Sequence, residues 1–229
     1  MRPVIVVMIK APSAGFAKTR LTPPLSQSDA AALALCFVKD VITSALSIMP
    51  NVIVAYAPHD GRAILEHVLP KDLLWFEQEG ADLGERLNSA IAYAGNLGFS
   101  PIIVLGADSP TLPPSFIEIA RDALAAEETA VTLGPTIDGG YYLVGLSKPV
   151  PRLFQNIDWS TTATFEQTVE NINRLGLRLF ELPQWYDIDT FADLDLLCKE
   201  LRSDNKARNQ APATHGWLLA HDLLRLPVD

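Results

Sequence analysis

The chain has 229 residues, 48% of them hydrophobic and 20% charged, enough to bury the core of one domain and too apolar for a largely disordered protein. Its 18 Lys and Arg stand against 27 Asp and Glu, a formal charge of −9, which excludes a protein that grips nucleic acid through a basic face. The charge is also uneven: Met1 to Ser28 holds Arg2, Lys10, Lys18 and Arg20 with no acidic residue.

In chain order, short apolar runs predict strands at Val4–Ile9, Val52–Ala57, Leu73–Phe76, Ile102–Leu105, Ala130–Leu133, Tyr141–Leu146 and Leu177–Leu182. Most are apolar throughout, as strands covered on both faces should be. Between them, Ser28 is placed to cap a helix from Asp29 to about Met49, and Asp82 one carrying Leu87, Ile91 and Ala94. Pro113 and Pro114 suit the first turn of a helix with Phe116, Ile117, Ala120 and Leu124. Thr190 and Asp193 read as a capping box before Leu194, Leu197 and Leu201. The polar stretch Ser203–Pro212 reads as a linker, followed by a short helix with Trp217 and a leucine face that could dock on its own domain or form a homodimer. Alternating strands and helices predict an α/β fold around a mainly parallel sheet with helices on both faces. One domain over residues 1–202 with a C-terminal appendage over 203–229 is the expected organisation.

The six-residue run Val4–Ile9 is too short for a signal-peptide core or a membrane span. Cys36 and Cys198 lie far apart with no metal-ligand spacing, so neither a disulfide framework nor a zinc site is expected. A cytoplasmic protein without a membrane span follows as the expectation. His59, His67, His215 and His221 show no ligand spacing and are read as structural or solvent-facing. No nucleophile elbow is present, and Cys36 sits in an apolar helical run.

In open α/β sheets ligands bind beyond the carboxyl ends of strands, and four loops there carry chemistry. Lys10–Leu21, reading KAPSAGFAKTRL, follows the first strand; Gly15 allows close backbone approach, and Lys18 and Arg20 can neutralise phosphate oxygens. It matches neither a Walker A loop nor a GxGxxG turn, and the same residues also fit a solvated turn. Asp108, in GADSPTLPP after Ile102–Leu105, can offer a hard oxygen to Mg²⁺ or Mn²⁺, or bond backbone amides in a turn. Asp138, Gly139 and Gly140 lie between two strands, either as a hairpin turn or as backbone passing close to a bound ring. Asp187 and Asp189 are two apart, so in an extended segment their carboxylates point the same way; they suit the second half of a metal site, or Asp189 serves the next helix N-terminus. Jointly the loops fit metal-assisted binding of a nucleoside diphosphate.

These motifs, with DLGERL at Asp82–Leu87, LGPTIDGGYYLVGL at Leu133–Leu146, WST at Trp159–Thr161 and DIDT at Asp187–Thr190, resemble a bacterial family within the GT-A, nucleotide-diphospho-sugar transferase superfamily. Its members are labelled glycosyltransferases, some in connection with arsenosugar biosynthesis. The resemblance runs in order over roughly residues 3–197 and extends distantly to 2-phospho-lactate guanylyltransferase and the molybdenum-cofactor guanylyltransferases. It implies a GT-A fold in which Lys10, Gly15, Lys18 and Arg20 hold nucleotide phosphates and Asp82, Gly84 and Asn88 shape the nucleotide pocket. It further implies Mg²⁺ or Mn²⁺ on Asp108, Asp187 and Asp189, with Asp108 and Asp138 catalytic and Gly139, Gly140, Trp159 and Thr161 facing the substrate. The partners implied are a nucleotide sugar, or an NTP, and a small-molecule acceptor. The first loop lacks the GxGxR pattern and following Pro-Lys of sugar-phosphate nucleotidyltransferases, reading Leu-Thr-Pro-Pro-Leu after Arg20. That departure favours glycosyl transfer over nucleotidyl transfer to a phosphorylated acceptor, with a non-catalytic nucleotide-binding module as the third reading.

Overall fold

The computed structural model describes residues 2–224. Seven strands form one sheet in the order β3-β2-β1-β4-β6-β5-β7: β1 (Val4–Lys10), β2 (Val52–Ala57), β3 (Leu74–Glu77), β4 (Ile102–Gly106), β5 (Ala130–Pro135), β6 (Tyr141–Leu146) and β7 (Arg178–Glu181). All neighbouring pairs are parallel except those of β6, which runs antiparallel to both β4 and β5. Every expected strand is present. The edge strands β3 and β7 are half exposed, because only interior strands carry cover on both faces and both sides.

Alternation along β1 shows how the sheet divides the core. Ile5, Val7 and Ile9 join one buried cluster with α1 (Gln27–Ile48) and α4 (Pro114–Ala126). Val4 and Val6 face the opposite layer, with α3 (Leu83–Asn96) and α5 (Thr164–Arg174). A strand residue's side chain switches face at each step, so an unbroken apolar run feeds two cores at once. The short α2 (Gly61–Glu66) follows β2, and α6 (Phe191–Ser203), α7 (Asn205–Gln210) and α8 (Pro212–Ala220) close the chain.

Three expected helix starts hold: Asp82 accepts from the Glu85 amide, Pro114 opens α4, and Thr190 and Asp193 make a reciprocal capping box. The cap of α1 is Ser26 rather than Ser28, its hydroxyl accepting from the Asp29 amide at 3.1 Å. Residues 205–210, expected as linker, form α7, which Asp204 caps through the Lys206 amide. Helix α5 was not expected from sequence.

Helix α1 has the length and apolarity of a membrane span, with a mean hydropathy of 1.8 over its best window. Here its apolar surface is spent inside the protein: Val38, Val41 and Ile42 face the sheet, while Leu33 and Phe37 face α6 and α8. Its Asp40 is also buried, accepting from the Ala213 and Thr214 amides at 2.9 and 2.8 Å at the start of α8. A carboxylate thus supplies the N-terminal acceptor that α8 lacks in its own sequence. Cys36 and Cys198 are both buried and free.

Candidate active site

Because β1 is flanked by β2 on one side and β4 on the other, the connections leaving their carboxyl ends diverge and open a crevice. The loop after β1 enters it. Gly15 has φ +80°, a region that side chains disfavour, and Lys18 takes the left-handed conformation with φ 47°. Lys18 then caps a short 3-10 turn, Thr19–Leu21, that plunges Leu21 into the core. Leu21 and Ile188 are both fully buried in one cluster with Leu33, Phe37 and Leu194, so the first loop and the late acidic segment share an anchor.

That anchor decides the aspartate pair. With Ile188 buried, Asp187 and Asp189 on either side of it both border the crevice. The Ile188 amide also donates to the Asp108 carbonyl at 2.9 Å, and Ser109 Oγ to the Tyr186 carbonyl at 2.9 Å, which ties the loop after β4 to the late segment. Asp189 is not used as a helix cap, since Thr190 and Asp193 fill that role.

The result is a cation held between two carboxylates: Lys18 Nζ lies 2.7 Å from Asp108 Oδ1 and 2.7 Å from Asp189 Oδ1. The lysine side chain is 8% exposed, the aspartates 50% and 42%. Burial alone would lower the lysine pKa, but Asp108 and Asp189 more than offset it, so the ammonium holds its proton more tightly than usual. Asp187 is pushed up to about 6 by burial and then by the charges of Asp189, Asp138 and Asp108, a measure of the negative field there.

Three cavities run side by side along this edge. A 240 Å³ cavity surrounds the first loop and is bordered by Lys10, Lys18, Arg20, Asp108 and Asp189. A 720 Å³ cavity beyond β2 shares Lys10 and Phe16 with it and adds Asp60, Gln78 and Arg86. A 540 Å³ hollow on the other side shares Arg20, Asp108 and Asp189 and adds Asp138, Trp159 and Asp187. The DGG hairpin lines this hollow: Asp138 Oδ1 accepts from Thr136 Oγ1 at 2.6 Å and from the Gly140 amide at 3.2 Å. Gly139, at φ +91°, lies so close to the Thr162 carbonyl that a Cβ would sit 2.4 Å from its oxygen. The indole of Trp159 is edge-on to Tyr141 and packs on Gly84, where a Cβ would meet it at 2.8 Å.

The structure therefore brings together Lys10, Lys18, Arg20, Asp108, Asp138, Gly140, Trp159, Thr161, Asp187 and Asp189 around adjoining cavities. Gly15 and Gly139 shape the loops. Asp82, Gly84 and Asn88 border none of the three; Asp82 is spent on its helix and Gly84 on Trp159, while their neighbours Leu83 and Arg86 reach the cavities instead. Phe16, Gln78 and Thr136 were not expected as site residues. Phe16 is 71% exposed and, like Arg86, lies inside a motif already singled out.

Among the described residues, no group of three or more His, Cys, Asp or Glu side chains is arranged to hold a metal ion. Asp108, Asp187 and Asp189 are thus not gathered into a three-carboxylate cage; the cation joining the first and last is Lys18 itself. Magnesium commonly uses only one or two protein carboxylates and takes its other oxygens from phosphate and water. The Asp108 and Asp189 pair, already bracketing a cation, fits that kind of ion.

A family model described as "Uncharacterized protein conserved in bacteria (DUF2064)" matches residues 43–161, just over half of the chain. The chain belongs to this family. No curated protein matches it. Among solved structures it is similar to a protein of Desulfovibrio desulfuricans G20 provisionally assigned as a nucleotide-diphospho-sugar transferase, at 30% identity and a TM-score of 0.89, covering 97% of this chain and 96% of that one. The fold is shared more distantly with a cytidylyltransferase of Leptospira borgpetersenii serovar Hardjo-bovis (15% identity, TM-score 0.57, 98% and 96% covered). It is shared also with CMP:2-keto-3-deoxy-manno-octonic acid synthetase in complex with CTP (12% identity, TM-score 0.55, 86% and 97% covered). The chain therefore has the nucleotide-diphospho-sugar transferase fold that its motifs led one to expect.

Proposed function

We propose that the protein is a metal-dependent glycosyltransferase that takes a nucleotide-diphospho-sugar as donor. The observation that carries this reading is the Lys18 ammonium, gripped at 2.7 Å by both Asp108 and Asp189 at the mouth between β1 and β4. Cationic loop and acidic strand ends meet there at one point. A diphosphate needs both: Lys18 and Arg20 as direct donors, and carboxylates to hold a divalent ion. Asp108 and Asp189, with Asp187 adjacent, would hold that ion, which would supply positive charge to the departing diphosphate. Stabilising charge on a leaving group is the largest catalytic contribution such a site can make.

Lys18 and Arg20 bind the donor's phosphates, and Lys10 and Phe16, which border the larger cavity beyond β2, lie on the path to its nucleoside. On the far side Asp138 orients an acceptor hydroxyl and takes its proton as the sugar's bond to the diphosphate breaks and the bond to the acceptor oxygen forms. The likeness to the Desulfovibrio protein, over nearly the whole of both chains, supports transfer chemistry on a nucleotide-linked substrate.

The test is a thermal-shift screen of UDP-, GDP-, ADP- and CDP-sugars with and without Mn²⁺, followed by product analysis. One donor should raise the melting temperature in a Mn²⁺-dependent way and release its nucleoside diphosphate on turnover. Asp108→Ala should abolish the metal-dependent part of the shift. Unchanged affinity in that variant refutes the reading; release of pyrophosphate from an NTP assigns nucleotidyl transfer instead.

A further inference from the structure

The three adjoining cavities differ in charge. The cavity around the first loop is lined by Lys10, Lys18 and Arg20 against Asp108 and Asp189. In the 540 Å³ hollow the balance reverses: Asp108, Asp138, Asp187 and Asp189 all border it, and among the described residues Arg20 is the single Lys or Arg in its lining. Arg20 also borders the first-loop cavity, where a diphosphate would claim it. A divalent ion on Asp108 and Asp189 would face the same diphosphate and leave Asp138 and Asp187 turned toward whatever else enters.

The hollow's wall is built rather than loosely formed. Trp159 is set edge-on to Tyr141, with ring centroids 6.4 Å apart, and tilted on Phe154 at 6.3 Å. Its indole closes against Gly84, where no side chain would fit. The hairpin carrying Asp138 is pinned to the start of α5 by the Phe165 amide, which donates to the Gly139 carbonyl at 2.9 Å. Both hydrogen bonds to Asp138 fall on Oδ1, and its Oδ2 carries none among the described residues. A fixed aromatic side chain and a carboxylate with a spare oxygen in the same lining suit the C–H groups and hydroxyls of a sugar ring, and attract a cationic substituent. An anionic substituent would meet like charges with no cation left to receive it.

Resting on the proposed donor chemistry, we propose that the acceptor seated in this hollow is a polyhydroxylated compound that is neutral or amine-bearing, and that phosphorylated counterparts are rejected. Asp138 is the residue that sets this preference. In the step, the bond between the sugar and the nucleoside diphosphate breaks, the diphosphate leaving with the electron pair, while the sugar bonds to the acceptor hydroxyl oxygen, whose proton passes to Asp138.

The experiment uses the protein loaded with Mn²⁺ and the nucleoside diphosphate found in the donor screen, and follows the Trp159 indole N–H resonance, assigned with Trp159→Phe. Glucose, glucosamine and glucose 6-phosphate are titrated as probes. Glucose and glucosamine should shift the resonance, with glucose 6-phosphate weaker by about tenfold or more. In Asp138→Lys, a change at an exposed turn, that order should reverse. Tighter or equal binding of glucose 6-phosphate to the wild type overturns the proposal, as does silence of the Trp159 resonance toward all three. Either result, with nucleoside diphosphate still bound, leaves the donor reading intact; absence of nucleotide binding in the preceding screen is what would refute that one.

Discussion

Replacing Lys18 with Met removes the ammonium while keeping a flexible apolar stem of similar length, and it should move two affinities in opposite directions. In the wild type a divalent ion must displace Nζ from Asp108 and Asp189, each 2.7 Å away. The ammonium is nearly buried but the carboxylates are half exposed, so each contact falls between an exposed ion pair and a fully buried one. That places it at about 1 kcal/mol, or about 2 kcal/mol for the two. Without the lysine the two carboxylate oxygens, no further apart than twice that contact distance, repel each other by about 1–3 kcal/mol at effective dielectrics between those of water and a protein surface. Mn²⁺ binding in the absence of nucleotide should therefore tighten by about 30-fold from the lost contacts alone, and by more because the ion also relieves that repulsion. Binding of a nucleoside diphosphate should weaken by about tenfold or more, because a charge-assisted phosphate contact is lost. The free-Mn²⁺ signal in electron paramagnetic resonance measures the first quantity and calorimetry the second. Lys18→Arg, which keeps the charge, should leave Mn²⁺ binding weak. Equal Mn²⁺ affinity in Lys18→Met and wild type, or unaltered nucleotide affinity, would show that the lysine neither guards the carboxylates nor serves the phosphates.

Gly139→Ala should destabilise the protein by about 2–4 kcal/mol in a denaturant melt, since φ is +91° and the new methyl meets the Thr162 carbonyl. Gly98→Ala, at φ +78° but with open space around it, should cost only about 1–2 kcal/mol; equal losses would show that the hairpin's close approach carries no energy. Asp40→Ala should cost about 1–3 kcal/mol by stripping the start of α8 of its acceptor, measured by the same melt. Burial raises the Asp40 pKa above its ordinary value, against the opposing bonds from Thr214 and Ala213. The native state then holds this proton more tightly than the unfolded chain, so the stability linked to Asp40's proton is fully present below about pH 4 and is lost as pH rises through the raised native value, while the capping bonds to α8 remain. Asp40→Asn should remove that slope from the stability profile; an identical pH dependence in the variant would contradict it.

The seven strands were legible because interior strands of a parallel sheet must be apolar on both faces, and such runs are hard to mistake. Helix α5 was not, because its apolar stripe of Phe165, Val169 and Ile172 is interleaved with buried polar residues and its start, at Ala163, has no side-chain cap: Thr164, Thr168 and Asn171 are buried, and Asn171 Nδ2 donates to the Leu153 and Gln155 carbonyls at 2.8 and 2.9 Å. That helix is held both by this stripe against the sheet and by the loop its polar residues pin. Helix α7 buries little beyond Ala207 and is held by contacts such as Arg208 Nε to the Leu201 carbonyl at 2.6 Å, which no local pattern announces. Arg86 and Phe16 sat inside recognisable motifs, yet their reach into a cavity depends on where the neighbouring strand ends.

By itself the sequence determined which residue types stand at the carboxyl ends of the strands: a cationic loop after β1, Asp108 after β4, the DGG turn and the late Asp pair. It also determined that Asp187 and Asp189 share a side, since backbone alternation around Ile188 is a local property. Only the tertiary structure decided that Lys18 lies between Asp108 and Asp189, the latter 171 positions away, and that the negative charge gathers on one side of the crevice. Those relations depend on the sheet order, on the bond from the Ile188 amide to the Asp108 carbonyl, and on the common burial of Leu21 and Ile188. They are distances between segments far apart in the chain, fixed only when the hydrophobic clusters between them close.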